Sequence, residues 1–133
     1  MPTNLYGPND NFNLKSSHVL PAMIRKFHEA KHNGNVPVEL WGSGSPMREF
    51  LHVNDLGQAL LFALENTLEE DLYNVGTGVD ITIRELARLV QSTIGHKGSV
   101  IWDNTKPDGT PRKLMDNDRI NREGWKAFID LKE

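Results

Sequence analysis

An α/β fold is the class this sequence predicts, and three observations carry the prediction. Short runs rich in Val, Ile, Leu and Trp alternate with longer stretches of helical periodicity. Turn-forming clusters separate them, as at Gly42 to Pro46 and Gly76 to Gly78. Asp55 with Gln58 and Thr82 with Glu85 have the spacing of capping boxes, which place two helix starts.

Taken in order, Met1 to Asp10 is dense in Pro, Gly and Asn and reads as a strand end entering a loop. A helix is expected from Ser17, its N-cap, to Lys31, with Leu20, Met23, Ile24 and Phe27 as the core-facing stripe. Pro21 falls in its first turn, where a missing N–H has no intrahelical partner. Strands are expected over Val38 to Trp41 and Arg48 to Val53. Asp55 is expected to cap an apolar helix running from Leu56 to Asn66, and Leu72 to Val75 reads as another strand. The helix after Thr82 carries Ile83, Leu86, Ala87, Val90 and Ile94 on one face and stops at Gly95. Val100 to Trp102 is a strand, the Lys106 to Arg112 segment a polar loop, and Asp118 to Glu123 a short helix. Strands this few and short make a poor independent doubly wound sheet, so a small domain leaning on another body is expected.

The chain of 133 residues suits one domain with its own core. Its net charge of −3 argues against a nucleic-acid partner, while a local basic site for a phosphate stays open. Cysteine is absent, which excludes disulfides and thiolate chemistry within these residues. No apolar run approaches a membrane span and no signal-peptide pattern follows Met1, so no membrane partner and a cytoplasmic location are expected.

Motifs for catalysis are mostly missing. No Gly-rich dinucleotide cradle follows a strand. Neither Tyr6 nor Tyr73 is followed four residues later by Lys, and the five histidines lack metal-ligand spacing. The residues alone support an α/β domain with an open question of an anion site.

Three segments carry more. Pro2-Thr-Asn-Leu-Tyr-Gly-Pro8, Arg48-Glu-Phe-Leu-His-Val-Asn-Asp55 and Tyr73-Asn-Val-Gly-Thr-Gly78 resemble successive motifs of the extended short-chain dehydrogenases. Met1 to Asp10 with Ser16-Ser-His-Val-Leu-Pro21, Trp41-Gly-Ser-Gly-Ser-Pro-Met-Arg-Glu-Phe50 and Lys106-Pro-Asp-Gly-Thr-Pro-Arg-Lys113 narrow the resemblance to the GDP-L-fucose synthases. It implies a single nucleotide-sugar-binding domain over residues 1–133: the small C-terminal part of such an enzyme, lacking the Rossmann domain and truncated at its end.

That family epimerises GDP-4-keto-6-deoxy-D-mannose at C3 and C5 and reduces its ketone with NADPH. A proton alpha to a carbonyl is labile because the enolate spreads charge onto oxygen, and an acid must return it on the opposite face. The resemblance implies that a cysteine and a histidine carry this exchange and that a Ser, Tyr and Lys set handles the ketone; the histidine matches His18, and the others lie upstream. It assigns Arg48 and Lys113 to the phosphates, with Lys26 as a further cation, Asn4 near the sugar and Trp41 at the guanosine. On its residues alone, Trp41 is equally a packing group. Pro2, Leu5 and His18 are the expected NADP contacts, with most of that cofactor held elsewhere. His52 and Asp55 read as structural. The chain is expected to be inactive and monomeric by itself, and its parent a homodimer. The rival readings are another nucleotide-sugar short-chain dehydrogenase, such as a GDP-mannose 4,6-dehydratase or a UDP-sugar epimerase, and a non-catalytic GDP-sugar binding module.

Overall fold

A computed structural model describes residues 1–132. Its element order is β1 (Asn4–Tyr6), α1 (Val19–His32), β2 (Val38–Trp41), β3 (Met47–His52), α2 (Val53–Glu65), β4 (Asp80–Thr82), α3 (Ile83–Ile94), β5 (Val100–Asp103), β6 (Arg112–Lys113) and α4 (Asp118–Arg122). Where one domain was expected, the contacts divide the chain into two compact units. The first takes residues 1–8, 48–80 and 113–132; the second takes 9–47 and 81–112.

The second unit packs α1 and α3 with a two-stranded parallel sheet, β2 and β5, whose register runs from Val38 opposite Val100 to Trp41 opposite Asp103. Leu20, Met23, Phe27 and Ala30 of α1 are buried with Val38 and Leu40 of β2 and with Leu86, Ala87 and Val90 of α3. The expected stripe is corrected at one place: Ile24 lies 36% exposed and Ala30 takes the inner position. The buried positions repeat three and four apart, and Ile24 falls on their flank.

His18, not Ser17, is the N-cap of α1, and among the described residues its side chain makes no capping hydrogen bond. The expected Thr82–Glu85 capping box is present, with the Thr82 hydroxyl accepting from Glu85 N at 3.1 Å and Glu85 Oε2 accepting from Thr82 N at 3.1 Å. Gly95 closes α3 in the left-handed region at φ 74°, which a side chain disfavours. The buried His96 ring lies within hydrogen-bond distance of Val36 O through Nε2, at 2.9 Å, and of Gln91 Nε2 through Nδ1, at 3.2 Å.

The first unit is assembled from three separate stretches of chain. β1 runs parallel to β3, with Asn4, Leu5 and Tyr6 opposite Phe50, Leu51 and His52. The sheet order is β1-β3-β4, and β6 also pairs β3. β4 and β6 were not foreseen; strands of three and two residues are too short to show a period. The expected Leu72 to Val75 strand is corrected to a single bridge, Pro2 to Val75, with Leu72 standing 58% exposed. Leu51, Ala59, Val75, Ile120 and Trp125 form the core.

A further correction concerns α2. Its N-cap is His52, whose Nδ1 accepts from Asn54 N at 3.2 Å, so the helix begins at Val53. Asp55 is its third residue, fully buried, and its Oδ2 accepts from Phe128 N at 3.2 Å and Ile129 N at 3.0 Å. What reads as a local cap is a long-range clamp on the C-terminal segment. Leu60, Leu61 and Leu64 stand exposed along the same helix.

Candidate functional site

The first unit contains Pro2, Asn4, Leu5, Arg48 and Lys113; the second contains His18, Lys26 and Trp41. Arg48 is half-buried on β3, and the exposed Lys113 lies on β6, the strand that pairs β3. Two of the expected phosphate cations therefore sit on adjoining strands. A guanidinium donates a fixed fork and an ammonium a rotatable point charge, which together suit a pyrophosphate.

Next to Arg48 on β3 lies Glu49, for which the sequence carries no functional signal. It is fully buried, and its carboxylate accepts from Gly78 N at 2.7 Å, Met115 N at 2.9 Å and the Thr77 hydroxyl at 3.4 Å. Gly76 is required beside it, since a Cβ there would come within 2.3 Å of Glu49 Oε1. The Asn4 side chain donates to Glu49 O at 2.8 Å, so Asn4 is tied to this strand. Leu5 packs against the apolar core, which leaves its backbone rather than its side chain to meet any ligand. Pro2 is exposed.

In the second unit Trp41 ends β2 with 66% of its surface exposed, so it is not a core-packing residue. The Lys106 ammonium lies 5.5 Å from its ring centroid, inside the range of a cation–π contact. Lys26 donates to Glu39 O at 2.9 Å, two residues before Trp41 on the same strand.

The loop after Trp41 is held from two sides. Asp108 accepts from Ser43 N at 2.9 Å and from the Ser43 hydroxyl at 2.6 Å, and the hydroxyl first, then the amide, holds its carboxyl below the usual value. Arg84 donates to Ser43 O and lies 4.5 Å above the Trp102 ring. An exposed indole flanked by lysines can stack an aromatic base and attract its phosphates. His18 is exposed at the head of α1. Lys106, Asp108 and Arg84 carried no sequence signal of their own, although Lys106 and Asp108 fall in a segment that the resemblance had singled out. Among the described residues no group of three or more His, Asp or Glu could hold a metal, and no helix is long and apolar enough to cross a membrane.

Residues 1–76 match the NAD dependent epimerase/dehydratase family. The chain belongs to that family. This epimerase-family chain is 55% identical to the probable GDP-L-fucose synthase 1 of Oryza sativa subsp. japonica, over 100% of its own length and 40% of the rice protein's. To the GDP-L-fucose synthase of Escherichia coli it is 51% identical, over 98% of its length and 44% of that protein's. The crystal structure of a GDP-L-fucose synthetase from Naegleria fowleri bound to NADP superposes with a TM-score of 0.88 at 30% identity, covering 96% of this chain and 41% of that one. The chain thus spans less than half the length of the relatives it matches. The family assignment agrees with the α/β class and with the first two motif segments read from the sequence, and the rice alignment extends beyond it through Lys106 to Lys113.

Proposed function

We propose that this chain is the substrate-binding part of an enzyme that epimerises GDP-4-keto-6-deoxy-D-mannose at C3 and C5 and reduces it with NADPH to GDP-L-fucose. The observation that carries the reading is the match of 100% and 98% of this chain to GDP-L-fucose synthases at 55% and 51% identity. Residues 1–133 belong to one nucleotide-sugar-binding domain. Arg48 and Lys113 bind the pyrophosphate, Trp41 stacks on the guanine with Lys26 and Lys106 beside it, and Asn4 orients the sugar. The exposed imidazole of His18 returns a proton to the carbon from which a base has taken one on the other face.

When bound, NADPH supplies the hydride that reduces the ketone. Nothing in these residues forms a Gly-rich phosphate cradle, and the Leu5 side chain is committed to the core. Pro2, His18 and the Leu5 backbone therefore offer an edge contact only, and the chain alone does not catalyse. Its setting is the cytoplasm, and its parent is a homodimer.

Calorimetry on this chain with GDP and with UDP tests the reading. Preferred binding of GDP, reduced at least tenfold by Arg48→Ala, is expected for loss of a charge-assisted phosphate contact. A chain that binds neither nucleotide, or an Arg48→Ala variant that binds GDP unchanged, overturns the phosphate assignment. For His18, this chain replaces the matching segment of the Escherichia coli relative. His18→Asn in that chimera should abolish inversion at C3 and C5 while ketone reduction persists.

A further inference from the structure

We infer that Glu49 is a positioning residue that fixes the spacing of Arg48 and Lys113 for a pyrophosphate. The inference rests on the nucleotide-sugar reading above. Glu49 follows Arg48 on β3, and successive strand residues face opposite sides, so the buried carboxylate anchors the strand whose preceding side chain carries the guanidinium. Its Oε2 accepts from Met115 N at 2.9 Å, two residues beyond Lys113. One anion thus pins the backbone on which both cations ride.

The remaining contacts extend the same hub. Oε1 accepts from Gly78 N at 2.7 Å and fixes the turn after Val75. The main-chain oxygen of Glu49 accepts from the Asn4 amide at 2.8 Å and from the Thr3 hydroxyl at 3.4 Å. Segments near residues 3–4, 48–49, 77–78 and 113–115 are therefore joined through one residue. An ionised carboxylate is acceptor-only and can serve several donors, whereas the amide of Gln offers a single oxygen and turns its NH2 toward another donor. With Gln at position 49, either Gly78 N or Met115 N loses its acceptor, and a buried donor left alone forces the segment to shift. Binding groups held by a supporting layer lose their geometry when that layer loosens. A shift at Met115 moves Lys113 relative to Arg48, and a ligand that needs both cations feels it most.

The test compares GDP with guanosine by calorimetry on the whole chain, in the wild type and in Glu49→Gln. In the folded variant GDP binding should weaken about tenfold, as expected for one misplaced charge-assisted contact, while guanosine changes less than twofold. Glu49→Asp keeps both acceptor oxygens on a shorter arm and should weaken GDP selectively as well, by a smaller factor. Equal weakening of GDP and guanosine, or no change in either, overturns the inference. Failure of both variants to fold also overturns it, because Glu49 then serves the fold alone. A wild-type chain that binds no GDP sinks the functional reading and the inference with it. Wild-type binding with an indifferent Glu49→Gln sinks the inference only.

Discussion

The two units are stabilised by different means. The second is built from regular elements, with two amphipathic helices that bury Phe27 and Leu86 and a capping box at the head of α3. The first has an apolar core around Leu51 and Trp125, yet its loops are tied down by two fully buried carboxylates that accept backbone N–H groups from distant chain. Glu49 reaches residues 77, 78 and 115, and Asp55 reaches 128 and 129. The difference teaches that a chain assembled from dispersed stretches needs directional partners to fix its loops, where a helical unit needs mainly a matched apolar surface.

The largest effect expected is in the second unit. Phe27→Ala should lower stability by about 4 kcal/mol, as for a fully buried aromatic replaced by a cavity. Denaturant unfolding measures it, with amide exchange rising in α1 and α3. In the first unit, Asp55→Ala leaves the amides of Phe128 and Ile129 without an acceptor. A loss of about 3 kcal/mol is expected for two hydrogen bonds to a charged group. Exchange should rise at residues 128 and 129 before it rises in the apolar core. If instead the core opens with the tail, the contrast between the units is too sharply drawn.

Thr82→Ala removes one half of the capping box and should cost about 1 kcal/mol, read from the same unfolding curves.

The pH dependence spreads over both units. Side-chain hydroxyls first, then backbone amides, depress the carboxyls of Glu85 (Thr82), Asp103 (Thr105), Asp108 (Ser43) and Glu123 (Tyr73, with the amide of Glu69). Each contributes stability that is present above its ordinary carboxylate range and lost as pH falls through its lowered folded value. Tyr73 is raised from 10.0, by burial first and then by its bond to Glu123. Its contribution is present below that value and lost as pH rises through the higher folded one. Thermal unfolding should therefore show a plateau between the carboxylate and phenol ranges. Acid should loosen both units, while alkali acts at Tyr73 of the first.

Trp41→Ala should change stability by less than about 0.5 kcal/mol, because the ring is mostly exposed. Its effect should fall on GDP binding instead. A large loss of stability there would return Trp41 to the packing role that its sequence setting also allowed.

The sequence made the second unit the more legible of the two. Helical periodicity, Pro21 in a first turn, the Thr82–Glu85 pair and Gly95 are local signals, and each appears within a residue or so of its expected place. The first unit hid more. Asp55 has the spacing of a cap but reaches across more than seventy residues to Phe128, and no local pattern encodes that partner. Glu49 reads as an ordinary polar position of an alternating strand. Its burial emerges only once the turn at Gly76 closes over it. The same holds for the candidate site residues. Resemblance to a family pointed to Arg48, Lys113 and Trp41, while Lys106 above the Trp41 ring belongs to a loop that no periodicity places.

The parallel pairing of β2 with β5 also bears on how the chain is made. Val38 leaves the ribosome long before Val100, its strand partner, has been translated. Until then β2 has no described strand partner on either edge, and forming so non-local a pairing is slow. Nascent chains arrested before residue 100 should therefore be the most prone to stick to one another, and release from that state should coincide with the emergence of β5.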